Sequence, residues 1–113
     1  MPNRTTITTC PPAAVEAALR RLGGNLRTAR LRRRLRIQDI ADRLGTSRFT
    51  VANVEKGKPG ASAAAYFGVL WALGLLDDAS LVADPDRDEE GRILESALLP
   101  TQAPRRRRLD GNF

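Results

Sequence analysis

Apolar residues recur at steps of three and four through the first third of the chain. Val15, Leu19, Leu22, Leu26 and Ala29 form one stripe, the spacing of one face of an α-helix. The stripe keeps its phase across Gly23-Gly24, so one long helix is predicted from Pro12, which suits a first helical position, to about Arg34. Each glycine costs roughly 1 kcal/mol against alanine in a helix, which makes this pair the place for any kink. A short helix is predicted over 37–44, with Ile37, Ile40, Ala41 and Leu44 on one side and Gly45 at its end. Ser47 then caps a third helix over 48–56, stopped by Gly57, Lys58, Pro59 and Gly60. A fourth runs from an N-cap at Ser62 to Leu73 and buries Tyr66, Val69, Leu70 and Leu73. A fifth is predicted over 77–83 and a sixth from about 87 to 98.

No strand pattern interrupts this series. The predicted fold is all-α, a compact bundle of five to six helices within a domain of residues 12–99. Residues 1–11 are polar and threonine-rich and read as a flexible arm. The run Thr5–Thr9 has strand propensity that would let it pair with a partner, but disorder is the stronger expectation. Beyond Pro100 the chain reads as a basic, disordered tail of residues 100–113 containing Arg105–Arg108.

The stretch Ile37–Glu55 places two short helices around a tight turn, the arrangement that sets the second helix in a DNA major groove. Ala41 is small enough for the following helix to cross close above it, and Gly45 supplies the backbone angle of the turn. Ile40, Leu44, Val51 and Val54 fill the corner. At about 100° per residue, Val51 and Val54 define the buried side, and Arg48, Phe49, Ala52, Asn53 and Lys56 share the other. That face offers a guanidinium for guanine, an amide for adenine and an aromatic ring for thymine methyl groups. Thr46 and Ser47 stand where a helix N-terminus meets phosphate, and Lys56 and Lys58 are placed to reach the backbone. The bland readings are an αα-corner with no nucleic-acid role, or a merely solvated cationic face.

Composition supports an acidic partner: 113 residues carry a formal net charge of +6. With no histidine and one cysteine, Cys10, neither the usual zinc ligand sets nor an internal disulfide can form. A histidine-assisted nucleophile is excluded for the same reason, and Gly23-Gly24 lacks the lysine of a phosphate loop. The acidic group around Pro85 (Asp84, Asp86, Asp88, Glu89, Glu90) reads as a solvated loop leading into a helix, its acids suited to the helix dipole. The expectation is a cytoplasmic binding protein with no membrane segment, no cofactor and no enzymatic role.

The segment Asn25–Leu76 resembles the Cro/repressor-type helix-turn-helix family of the xenobiotic-response-element class, with a lambda-repressor-like fold. The residues carrying the likeness are Arg27, Arg30 and Arg32, the block Ile40–Ser47, the block Val51–Gly57 and the block Leu70–Leu76. The resemblance implies that Arg48, Phe49 and Asn53 read bases and that Arg30 pairs with Glu55, tying the recognition helix to the scaffold. One departure matters: the family often has Gln at Ile37 and Thr or Ser before it, where this chain has Arg36. The second helix is therefore expected to lack its usual cap and one polar DNA contact, with Arg36 left as a backbone contact. More narrowly, Glu55–Gly60, Ala72–Asp77, Ala83–Asp88 and the basic C-terminus are similar to HipB-like antitoxins, which implies a HipA-like kinase toxin as a second partner.

Phe67 and Trp71 lie one turn apart beside the core stripe of the fourth helix. They are read either as a homodimer interface or as cover for the fifth or sixth helix within one chain. A dimer favours a palindromic operator. Arg105–Arg108 has four readings: phosphate contact, minor-groove entry, docking on an acidic partner, or a solvated tail. The functional reading is a sequence-specific repressor of its own operon. A prophage or mobile-element repressor without a toxin, and an adaptor that has lost DNA binding, are the alternatives.

Overall fold

The computed structural model describes residues 6–98. The readings for residues 1–5 and for the tail, Arg105–Arg108 included, lie outside the described residues. Six α-helices follow in order: α1 Thr6–Thr9, α2 Ala13–Arg32, α3 Ile37–Leu44, α4 Arg48–Glu55, α5 Ala63–Ala72 and α6 Glu89–Leu98. Short 3-10 segments occupy Leu76–Leu81 and Pro85–Arg87. The described fold is all-α, and none of its helices is long and apolar enough to cross a membrane.

Internal contacts divide the chain into two units, residues 1–79 and 80–113, where the sequence pattern suggested a single span of 12–99. In the first unit α2, α3, α4 and α5 pack around one core. Leu26 of α2, Ile40 of α3, Val51 and Val54 of α4, and Val69 of α5 are its fully buried side chains. Burial of such a side chain contributes about 1.5–3 kcal/mol. Leu19, Leu22 and Leu70 are only half-buried, and Val15 is exposed. Leu19, Leu22 and Leu70 pack against the margin of this core.

That meeting place explains the glycine pair. α2 runs without interruption through Gly23 and Gly24, and Gly23 is the crossing point rather than a kink. A Cβ on Gly23 would lie 2.5 Å from the Val54 carbonyl oxygen and 2.6 Å from that of Glu55. The exit of α4 fits against α2 only because there is no side chain between them. Gly57, with φ of +71°, closes the contact from the other side: a Cβ there would lie 2.5 Å from Arg20 Cα.

Four successive helices end in the same double-bonded turn. After α3, Thr46 N–H donates to Ala41 O and Gly45 N–H to Asp42 O. Gly57 and Gly74 play the part of Gly45 after α4 and α5. After α2 the left-handed position is held by Arg34, with φ of 56°, while Leu35 N–H donates to Arg30 O and Arg34 N–H to Leu31 O. These bonds satisfy carbonyls that the helix leaves open.

Three expectations are corrected. Residues 6–9 form an α-helical turn, closed by Cys10 N–H donating to Thr6 O at 2.7 Å, rather than an extended or disordered run. Strand propensity is overridden because no strand edge is at hand among the described residues to pair with it. The fifth helix is a 3-10 segment over Leu76–Leu81, and Ala83, with φ of 59°, turns the chain before the next element. The sixth helix begins at Glu89, because Asp88 caps it by accepting from Gly91 N–H at 3.0 Å. Asp84 likewise accepts from Asp86 N–H at 2.9 Å. In this second unit none of the described residues is buried.

Candidate nucleic-acid interface

The sharp turn between α3 and α4 is fixed by Gly45, with φ of 68°, and by Ser47. The Ser47 hydroxyl accepts from Thr50 N–H at 3.2 Å and so caps α4. Behind the helix, Val51 and Val54 are fully buried against α2, α3 and α5. Their burial fixes the rotation of α4 about its own axis, and with it the side turned outward.

On that outward side Arg48 is exposed, Phe49 is 73% exposed and Asn53 is half-buried. Ser47, Lys56 and Lys58 are exposed and Thr46 is half-buried. Phe49 forms a ridge between two open concavities. One, of about 530 Å³, is lined by Ile37, Ser47, Arg48 and Ala52. The other, of about 820 Å³, includes Asn53, Lys56, Lys58 and Ser62. This ring is exposed on a helix whose opposite side is locked into the core.

The far end of the helix is anchored by an ion pair between α2 and α4. The Arg30 guanidinium donates from Nε to Glu55 Oε2 at 2.6 Å and from Nη2 to Glu55 Oε1 at 3.1 Å. Its Nη1 donates to Leu35 O at 2.8 Å, tying in the connection between α2 and α3. Arg30 and Glu55 are spent on each other, so they position the interface rather than form its surface.

Arg36 is engaged differently. Its backbone N–H donates to Asp39 Oδ2 at 2.7 Å, and its guanidinium donates from Nη2 to Asp39 Oδ1 at 2.8 Å. Asp39 thus supplies the cap that the sequence seemed to lack, although Arg36 has no acceptor to return. The hydrogen bond from the Arg36 side chain, then that from its backbone, holds the Asp39 carboxyl below its ordinary pKa. The Arg36 side chain stays largely exposed.

Phe67 and Trp71 on α5 are 48% and 56% exposed within the described chain.

Sequence reasoning missed four contributors. Thr50 lies between the buried and outward sides of α4, at an angle that assigns it to neither, yet it lines the larger concavity. The Tyr66 phenol donates to Lys58 O at 2.8 Å and holds the loop after α4. Burial raises its pKa. The polar tip of a core tyrosine was the available signal, since such a group seeks a partner. Arg43 Nη1 donates to Ala72 O at 2.9 Å, bracing α3 against the end of α5. Thr8 of α1 also lines the larger concavity, and nothing in the sequence brought those segments together.

Charge is divided between the two units. Residues 1–79 carry thirteen Lys and Arg against six Asp and Glu, whereas residues 80–113 carry six against seven. The cationic character belongs to the unit that bears α4.

A family model described as a helix-turn-helix domain matches residues 21–83. No curated protein and no solved structure matches the chain. The matched span takes in most of α2 and all of α3, α4 and α5, the four helices that build the core and present the outward face. The chain belongs to the helix-turn-helix domain family, the kind of domain that DNA-binding regulators carry.

Proposed function

We propose that this protein is a repressor that binds double-stranded DNA sequence-specifically by seating α4 in the major groove. Arg48, Phe49 and Asn53 read base edges, and Thr46, Ser47, Arg36, Lys56 and Lys58 hold the sugar-phosphate backbone. Its role is binding, with no catalysis, and it acts in the cytoplasm. The observation that carries this reading is the contrast on one helix: Val51 and Val54 are wholly buried while Phe49 is 73% exposed between two open concavities.

In the same proposal two copies associate through Phe67 and Trp71 and present paired α4 helices to a palindromic operator, with half-sites about 34–36 Å apart. The repressed operon is its own, and it encodes a HipA-like kinase toxin that this chain binds as antitoxin. The support for that last element is the similarity of Glu55–Gly60, Ala72–Asp77 and Ala83–Asp88 to HipB-like antitoxins.

Selection of bound duplexes from a random pool tests the reading. A palindromic consensus is expected, and Arg48→Ala and Asn53→Ala should each cost about 1–3 kcal/mol at the consensus site. Recovery of no enriched sequence would reject specific binding, and full function in both variants would leave the adaptor reading. Failure of the neighbouring gene's product to bind would leave a lone repressor of prophage or mobile-element type.

A further inference from the structure

We infer that the N-terminal turn α1 is a second DNA-contacting element, laid against the phosphate wall of the groove that α4 enters. The inference rests on the proposed seating of α4 and adds to it a segment outside the matched helix-turn-helix span. Thr8 lines the same concavity as Phe49, Asn53, Lys56 and Lys58. A major groove is only about 12 Å wide, so a group sharing that concavity with the reading face meets the backbone at the groove edge.

The position of α1 follows from the packing around it. The close crossing of Gly23 and Gly57 fixes α2 against the exit of α4. Between Leu19, whose carbonyl abuts Gly57, and Ala13 the helix runs on for about 9 Å beyond that contact. Pro11 and Pro12 then restrict the backbone, and the Pro12 carbonyl accepts from Val15 N–H and Glu16 N–H at 3.0 Å. The chain folds back through them and brings α1 to the rim of the interface.

Core burial does not account for this turn. Thr6, Thr8 and Thr9 are exposed and Ile7 is 57% exposed. A four-residue helix also has little stability of its own. Its chemistry suits phosphate: the chain contains no acidic residue before Glu16, and threonine hydroxyls and backbone N–H groups are common donors to phosphate oxygens.

Cys10, the sole cysteine, is exposed at the end of α1 and serves as a reporter in the unaltered protein. Its alkylation by iodoacetamide is timed with and without a selected duplex, at saturation judged by fluorescence anisotropy. DNA is expected to slow the reaction at least about threefold. Removal of residues 1–10 should weaken binding about tenfold. Thr8→Asp, which sets a negative charge against phosphate, should weaken binding at least about fivefold, and Thr8→Ser should remain within about twofold of the parent.

Unchanged alkylation together with unchanged affinity in the truncated chain overturns the inference. If Arg48→Ala still weakens binding in that case, the seating of α4 stands without it. Tighter binding after truncation also overturns it, since α1 would then compete with DNA. Loss of all DNA binding by the parent protein overturns both. Circular dichroism of the truncated chain establishes that α2 to α5 remain folded.

Discussion

Arg30 and Glu55 lie 25 positions apart and meet in a two-pronged ion pair, with side chains 8% and 5% exposed. The pair joins the last turns of α2 to the last residue of α4, at the end of the helix that carries the proposed reading face. Both side chains lie almost wholly out of solvent, so the consequences of breaking the pair are sharp.

Glu55→Ala leaves a buried guanidinium without its countercharge and is expected to destabilise the protein by about 3–5 kcal/mol. The combined change Arg30→Met, Glu55→Leu should cost far less, because it removes both charges together and retains apolar volume. Urea denaturation of the two variants and the parent measures the difference. A loss below about 1 kcal/mol for Glu55→Ala would show that the pair is not what secures α4.

Gly23 and Gly24 are neighbours in sequence with opposite expectations. Gly24 has nothing within 4 Å of an added Cβ, so Gly24→Ala should stabilise the protein by up to about 1 kcal/mol through helix propensity. Gly23→Ala forces a methyl group onto the backbone of α4 and should destabilise by about 1–3 kcal/mol. Thermal unfolding of the two variants checks the contrast. Equal effects would mean that α2 and α4 do not cross as closely as the structure shows.

Arg34 holds a left-handed backbone angle that the other three helix ends assign to glycine. Arg34→Gly relieves that strain and should raise stability by about 0.5–1 kcal/mol. Chemical denaturation reads the change directly. A loss of stability would indicate that the Arg34 side chain contributes more than its backbone costs.

The depressed pKa of Asp39 makes the N-terminus of α3 acid-sensitive. In the folded chain its carboxylate binds a proton less readily than the ordinary value of 3.8. The stabilisation is therefore complete above that ordinary value and is lost as pH falls through the lower, folded one. Asp39→Asn should be less stable near neutral pH and should show a shallower decline between about pH 5 and pH 2. Parallel stability-pH profiles for parent and variant would contradict the assignment.

Much of this molecule was legible in the linear pattern, and the reason is local. Helix periodicity, the caps at Ser47 and Ser62, and the glycine stops after α3 and α4 depend on residues within one or two turns of each other. The outward set of Arg48, Phe49 and Asn53 follows from the same local geometry once Val51 and Val54 are taken as core. The Arg30–Glu55 pairing came instead from family resemblance, since spacing alone does not join residues 25 apart.

What the chain order could not express were approaches between distant segments. Gly23 looked like a flaw in a helix and is the seat of α4, because only the packed state reveals which backbone presses against it. Thr8 looked like part of a free arm and lines the concavity beside Phe49 and Asn53, since the return of the chain through Pro11-Pro12 depends on where α2 is held. The sequence by itself therefore determined which helices form and which side of α4 is polar, both matters of short-range pattern. Tertiary structure alone decided how closely the helices cross and what joins the reading face, because those depend on contacts between residues far apart in the chain.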